Sequence, residues 1–124
     1  KPNTKFVAEF IGSPQMNLFQ CKIENGLAKI SDMQINLNNS LNIQNACIGF
    51  RPDDILISDQ GEYSSSANLV EYLGSDMIIY SSVGGQEFSC KLSSKINLKA
   101  GDNFKFNISP SVLHIFDNTS GQRV

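Results

Sequence analysis

The stretch DMIIYSSVGGQEFSCKL, residues 76–92, predicts a β-hairpin and decides the fold class. Along its second half, apolar Phe88, Cys90 and Leu92 alternate with polar Ser89 and Lys91. A period of two places one set on a core and the other in water. Gly84-Gly85 fits the tight turn between strands at 76–82 and 86–92, because both central residues of a type I′ turn need positive φ angles.

Strand-like patterns continue on both sides of this hairpin. Asn25-Gly26 is a second type I′ turn signal, and Ser64–Ser66 is a polar connector. About nine short strands are expected, at residues 18–23, 27–30, 33–37, 46–50, 67–73, 76–82, 86–92, 104–108 and 113–116. Residues 55–57 add a brief apolar piece. Many short strands at nearly even spacing predict an all-β fold, a small barrel or a sandwich.

One short helix is expected ahead of the strands, over residues 1–12. Its apolar side chains form a single stripe at Phe6, Val7, Phe10 and Ile11. Gly12 can end this helix, and Ser13-Pro14 prevents its continuation. Because the stripe has little of its own to pack on, and because the sequence starts at Lys1 without Met, we expect a piece of a longer or processed chain.

Composition bounds the function. The 124 residues leave room for one domain and not for two full ones. The net charge is −2 and no run of Lys or Arg occurs, which argues against nucleic acid or an anionic membrane as partner. Three distant cysteines, Cys21, Cys47 and Cys90, share no metal-ligand spacing and indicate reduced thiols. No apolar run is long enough to span a bilayer.

Candidate chemistry is sparse. His114 is the one histidine, and it lies inside an apolar strand, so we interpret it as structural or interfacial. Asp53 and Asp54 beside Arg51 predict a solvated turn with one local ion pair, because adjacent side chains on a strand point apart. Zinc needs close pairs of Cys or His ligands, and the sequence has none. We therefore expect no catalytic, cofactor or metal site.

Residues 82–86, Ser-Val-Gly-Gly-Gln, resemble the Leu-Ser-Gly-Gly-Gln signature of ABC ATPases. Val83 stands where the signature has its phosphate-binding Ser, and the flanking strands leave no helix N-terminus to face a phosphate. The sequence also lacks a Gly-x-x-x-x-Gly-Lys-Ser/Thr phosphate loop. We therefore expect that these residues neither bind nor hydrolyse ATP and are not an enzyme by themselves.

Several ordered stretches together resemble one family, the ATP-binding subunits of bacterial carbohydrate ABC importers. Residues 6–17 look like the junction between the nucleotide-binding domain and its C-terminal extension, and residues 48–54 like the extension's Gly-Ile-Arg-Pro-Glu-His turn. Residues 70–76 resemble its Leu-Gly strand end, residues 113–117 its closing Leu-His-Leu-Phe-Asp, and residues 121–124 the sn-glycerol-3-phosphate importer type. Asp53-Asp54 replaces Glu-His, and Phe50 replaces Ile.

The resemblance implies a transport-associated OB-like (TOBE-like) or Greek-key fold over residues 15–124, with residues 1–14 as the last helix of a nucleotide-binding domain. It implies a cytoplasmic subunit, peripheral at the inner membrane, that works as a homodimer with membrane permeases and can receive a regulatory protein. ATP and Mg²⁺ would bind outside these residues. The motif positions, expected to be structural or interfacial, are Gly49, Arg51, Pro52, Asp53, Gly74, Leu113, His114, Phe116 and Asp117.

Two alternatives remain open at the level of sequence. A single-stranded nucleic-acid-binding OB domain would use aromatic side chains for base stacking, and the sequence contains eight Phe and three Tyr. A small oxyanion-binding barrel would use backbone amides with Ser or Lys at a subunit seam, and the candidates are Lys91, Ser93, Ser94 and Lys95.

Overall fold

The computed structural model describes residues 16–93 and 96–124, which form antiparallel sheets and two 3-10 turns, Pro52–Asp54 and Pro110–Val112. The strands are β1 Asn17–Glu24, β2 Leu27–Ile30, β3 Met33–Asn36, β4 Ile43–Phe50, β5 Ile55–Ile57, β6 Tyr63–Ser66, β7 Leu69–Leu73, β8 Asp76–Val83, β9 Gln86–Leu92, β10 Asn103–Ile108, β11 His114–Asp117 and β12 Gln122–Arg123. The predicted all-β class is confirmed, and the described strands form no closed barrel. The helix predicted at 1–12 and the boundary predicted at residue 14 lie outside the described residues.

The chain divides into two compact units. Unit 1 contains the described residues up to Arg51 together with Pro110–Val124, and unit 2 contains Pro52–Ser109. Unit 1 is therefore discontinuous in sequence, and unit 2 is the segment between its two parts.

Unit 1 is one six-stranded sheet in the order β12-β11-β4-β1-β2-β3. The Phe19 and Phe50 rings lie 5.5 Å apart and are fully buried, so they anchor the core where β1 meets β4. The register of β1 against β4 shifts between Cys21 and Ile23, which marks a bulge in the longest pairing of this sheet.

The predicted Asn25-Gly26 turn is confirmed. Asn25 has φ 49° and Gly26 has φ 74°, the positive values that a type I′ turn needs. The following loop covers this turn, because the Gly26 amide donates to the Leu41 carbonyl at 2.9 Å and the Asn25 amide donates to Asn42 Oδ1 at 2.9 Å. A side chain at Gly26 would collide with that loop, since an added Cβ would lie 2.0 Å from the Asn39 carbonyl oxygen.

Unit 2 contains two three-stranded sheets, β5-β10-β6 and β7-β8-β9. The second sheet includes the hairpin that the sequence predicted at 76–92, with Val83 opposite Gln86 across the Gly-Gly turn. Phe106 of β10 centres the core, because its ring lies 5.6 Å from Phe88 on β9 and 5.7 Å from Tyr63 on β6. The ring contact between Phe106 and Phe88 therefore joins the two sheets within unit 2.

The prediction of a polar connector at Ser64–Ser66 was wrong, because these residues belong to strand β6. They pair with β10, from Ser66 opposite Asn103 to Tyr63 opposite Phe106. The serine hydroxyls bond inside the unit: Ser65 Oγ lies 2.5 Å from Ser81 Oγ and donates to the Ser82 carbonyl at 2.9 Å. A polar run can thus occupy a strand when neighbouring strands satisfy its hydroxyls.

The described residues form twelve strands, whereas about nine were expected from the sequence. The strand predicted from residue 67 begins at Leu69, since the Ala67 amide instead bonds the Asp102 carbonyl at 2.8 Å. The last predicted strand begins at His114, because the Leu113 amide closes the preceding 3-10 turn on the Pro110 carbonyl at 3.2 Å. Residues 55–57 form a strand, and the short β12 was not predicted.

Candidate functional site

Two of the motif stretches become neighbouring strands in unit 1. Gly49 of β4 lies opposite His114 of β11 on one side and opposite Leu18 of β1 on the other. Gly49 is buried and contributes no side chain between its neighbours. The resemblance between distant sequence stretches therefore corresponds to one local arrangement in the fold.

His114 is half-buried and contacts the last strand. Its Nδ1 lies 2.8 Å from Nη2 of Arg123. The guanidinium keeps its protons at all ordinary pH values and can only donate. His114 Nδ1 therefore accepts, which requires the neutral imidazole with its proton on Nε2. Such a fixed imidazole acts as a structural acceptor that joins two strands.

Asp117 shapes the turn between β11 and β12. Its Oδ1 accepts from the Thr119 amide at 2.9 Å, and its carbonyl accepts from the Gly121 amide at 2.7 Å. Phe116, one residue earlier, is 2% exposed and lies opposite Cys47 of β4. Both motif residues thus hold the C-terminal hairpin onto the sheet.

The other motif positions lie at different places in the order of structural elements and do not form one cluster in that order. Arg51 ends the first part of unit 1, while Pro52 and Asp53 belong to a 3-10 turn of unit 2. Gly74 makes the turn between β7 and β8 with φ 60°, and nothing lies within 4 Å of a Cβ added there. Leu113 stands between the second 3-10 turn and β11.

Sequence reasoning missed Arg123 as the partner of His114. Its signal was the run Asn-Thr-Ser-Gly at 118–121, which follows Asp117 and is typical of a turn. A turn at that point folds residue 123 back beside residue 116, as the register of β11 and β12 has it.

Burial suppresses nucleophilic chemistry at the cysteines. Desolvation, with a smaller contribution from Cys47, raises the pKa of Cys21 to about 12, and burial alone raises the pKa of Cys90 to about 12. Burial raises the pKa of Cys47 to about 11, against a hydrogen bond from Gln20 that lowers it. The reactive form of cysteine is the thiolate. All three side chains are therefore protonated thiols at neutral pH.

The described residues hold no group of three or more His, Cys, Asp or Glu side chains that could bind a metal ion. The Ser-Val-Gly-Gly-Gln string is a hairpin turn, in which Gly84 has φ 56° and Gly85 φ 79°. Residues 76–92 therefore offer a nucleotide no helix N-terminus.

The phenylalanine side chains of the described residues do not form a base-stacking surface. Six phenylalanines are buried: Phe19, Phe50, Phe88, Phe104, Phe106 and Phe116. A nucleic-acid groove needs exposed rings beside basic side chains. This burial disfavours the nucleic-acid alternative.

The candidate oxyanion residues give little support to an anion site. Lys91 Nζ lies 3.6 Å from Asp76 Oδ2, so a carboxylate already accompanies this cation. Ser94 and Lys95 lie outside the described residues. In the described part of the chain, no helix has the length and apolar character needed to cross a membrane.

Known proteins resemble this chain over its entire length. The chain is 31% identical to an sn-glycerol-3-phosphate import ATP-binding protein of Agrobacterium fabrum and 30% identical to one of Ruegeria, covering 100% of this chain and 35% and 36% of those proteins. An oligosaccharides import ATP-binding protein of Bacillus subtilis is 30% identical over 99% of the chain and 38% of its own length. This chain thus spans little more than a third of these relatives. No protein-family model matches it.

Proposed function

This chain is homologous over its whole length to the C-terminal part of ABC-importer ATP-binding subunits, and from that premise we propose that it is the accessory and regulatory domain of such a subunit. The imported solute is sn-glycerol 3-phosphate or a sugar, as the names of the relatives suggest. The similarity over the full 124 residues is the observation that carries the proposal. The all-β fold supports it, because an all-β extension is what the resemblance implies.

In this proposal the chain is not itself an ATPase. Its residues do not fit ATP, because the sequence has no phosphate loop and its signature-like string is a hairpin turn. ATP and Mg²⁺ bind other parts of the subunit, which works as a homodimer beneath membrane permeases at the cytoplasmic face. The solute does not touch these residues.

The regulatory role is motivated by the lack of a recognisable catalytic motif in this sequence. A β-domain attached to each ATPase lobe acts through its surfaces, by favouring the open or the closed nucleotide dimer. A partner shifts that equilibrium only by its difference in affinity for the two states. A coupling free energy of ~1–3 kcal/mol corresponds to about a five- to 150-fold change in the equilibrium.

The first test reads the coding sequence upstream of Lys1. A phosphate loop, a Leu-Ser-Gly-Gly-Gln signature and a switch histidine should appear within roughly one domain length, about 100–200 residues. Their absence would contradict assignment to an ATP-binding subunit.

The second test deletes residues 15–124 from the complete subunit and measures solute uptake and its inhibition in cells. Uptake should persist at an altered rate, and inhibition by the cell's regulatory signals should weaken. Unchanged rate together with unchanged inhibition would refute the regulatory role. Calorimetry with ATP on the 124-residue chain supplies the control, and it should show no binding.

A further inference from the structure

Strand β7 is an edge strand with exposed side chains on both of its faces. It lies at one side of the sheet β7-β8-β9. Leu69 is 52% exposed and Leu73 51%, and they share the face opposite Tyr80 and Asp76. Tyr72, on the other face opposite Met77, is 54% exposed. Three large apolar or aromatic side chains in one short strand therefore keep half their surface in water.

Several other edges in the described residues are protected in ways that β7 is not, and edge strand β5, which exposes Leu56, is only three residues long. Strand β3 buries Met33 and Ile35 and exposes only polar side chains. Strand β6 presents serines, and β12 has two residues, both polar. Natural proteins blunt sheet edges by such means, since alternate N–H and C=O groups of an edge strand point away from the sheet. Strand β7 combines those groups with apolar side chains.

A carboxylate lies at the centre of this strand. Glu71 is exposed, lies opposite Ile78, and accepts a hydrogen bond from the Tyr80 hydroxyl at 2.6 Å. No ion pair to Glu71 occurs among the described residues, whereas the nearby cation Lys91 pairs with Asp76. The outer face of β7 thus reads Leu69, Glu71, Leu73, an acid between two leucines.

We propose that β7 is a docking edge for an extended segment of another protein, whose side chains alternate as apolar, basic, apolar along one face. That segment adds to the sheet as a further strand. Its basic side chain lies beside Glu71, and its apolar side chains lie beside Leu69 and Leu73. Strand addition by main-chain hydrogen bonds, with side chains giving specificity, is a general mode of peptide recognition. The proposal does not depend on the transporter role.

Exposure on both faces favours an added strand over a partner packed on the sheet. A partner on the outer face would cover Leu69 and Leu73 but leave Tyr72 in water. A strand placed beside β7 approaches side chains on both faces, because its own residues alternate between them.

Charge disfavours a second copy of this chain as the occupant. Antiparallel pairing of two β7 strands in full register, centred on residue 71, places Glu71 opposite Glu71. Like charges directly opposite each other destabilise a strand pair. An anionic membrane is disfavoured for the same reason, since Glu71 would face lipid phosphates.

The experiment uses the 124-residue chain and two synthetic peptides, TVLTKTLVT and the same peptide with Glu in place of Lys. Titration followed by amide ¹H–¹⁵N NMR locates the binding site, and fluorescence anisotropy measures Kd. The Lys peptide should shift the amides of residues 69–73 and bind about three- to tenfold more tightly than the Glu peptide. Glu71→Lys should reverse that preference.

Glu87→Lys is the matched control, because Glu87 is exposed on β9 of the same sheet but two strands away from β7. It makes the same charge change and should leave the preference for the Lys peptide in place. Leu73→Ser, at an exposed position, should weaken binding of both peptides while the circular dichroism spectrum stays unchanged.

Three results would overturn the proposal. The first is equal binding of both peptides, or of neither. The second is a set of shifted amides that does not include residues 69–73. The third is a dimer of the chain in sedimentation equilibrium that Leu73→Ser abolishes, because a second copy would then be the occupant.

Discussion

Nη2 of Arg123 lies 2.8 Å from Nδ1 of His114, and this contact joins the last strand of the chain to the strand before it. The Val124 amide adds a backbone bond to the Ile115 carbonyl at 2.8 Å. The contact between Arg123 and His114 therefore adds to the backbone ladder of the C-terminal hairpin, and the chemistry of the guanidinium fixes the tautomer of the imidazole.

The tautomer of His114 is the first prediction. Because a guanidinium can only donate, Nδ1 should be unprotonated and Nε2 should carry the proton. Long-range ¹H–¹⁵N NMR at neutral pH should show this tautomer in the folded chain. Arg123→Met removes the donor and should shift the spectrum toward a mixture of tautomers. A protonated Nδ1 in the unmodified chain would contradict the contact.

Removal of the Phe106 ring is the second prediction. Phe106 is fully buried and its ring lies within 6 Å of three other aromatic rings, so Phe106→Ala leaves a cavity in unit 2. The free energy of unfolding should fall by about 3–5 kcal/mol, measured by urea titration. Leu56→Ala, at a side chain that is 62% exposed, serves as the control and should change it by under ~0.5 kcal/mol. Equal losses of unfolding free energy in the two variants would show that the aromatic cluster around Phe106 does not stabilise unit 2.

The β-hairpins were predictable because their turn chemistry is local. Asn25-Gly26 and Gly84-Gly85 each adopt the positive φ angles that their residue types favour. The strands beside them alternate with a period of two, so their pairing also follows from the sequence.

Strand β6 was not predictable, since Ser64, Ser65 and Ser66 show neither apolar alternation nor strong strand preference. Their conformation depends on β10 and on hydroxyl bonds to Ser81 and Ser82, which are distant in sequence. The pairing of Gly49 with His114 is likewise non-local, and only the family resemblance linked those stretches beforehand.

Two glycine turns provide the third prediction. Gly26 and Gly85 have similar φ angles, 74° and 79°, but only Gly26 lies against another loop. Gly85→Ala should cost about 1–2 kcal/mol of unfolding free energy, the penalty for a left-handed alanine. Gly26→Ala should cost more, because its Cβ must also displace the Asn39 carbonyl. Urea unfolding of both variants makes the comparison, and equal losses would argue against the close approach at Gly26.

Thiol reactivity is the fourth prediction. With pKa values raised to about 12, 11 and 12, Cys21, Cys47 and Cys90 should react slowly with Ellman's reagent in the folded chain at pH 8. In urea all three should react quickly. Fast labelling of the folded chain would mean that the thiols are accessible.

The same thiols should make stability depend on pH. Thiols ionise near pH 9 in the unfolded chain and only near pH 11–12 in the folded one. Their contribution to stability is complete below pH 9 and declines as the pH rises toward 11–12, because the unfolded state loses its protons first. Cys90→Ala should flatten part of that decline in unfolding free energy measured between pH 8 and pH 11.

The division of unit 1 in sequence has a consequence for biosynthesis. The chain leaves the sheet of unit 1 after β4, at Arg51, and returns to it in β11, which pairs with β4. The 58 residues of Pro52–Ser109 are therefore inserted between two adjacent strands of that sheet. The ribosome therefore synthesises all of unit 2 before it synthesises β11, the strand that pairs with β4 in the sheet that begins at Asn17. A chain truncated ahead of Pro110 lacks the strand that pairs with the outer side of β4, so the sheet of unit 1 becomes complete only after residues 114–117 have been made.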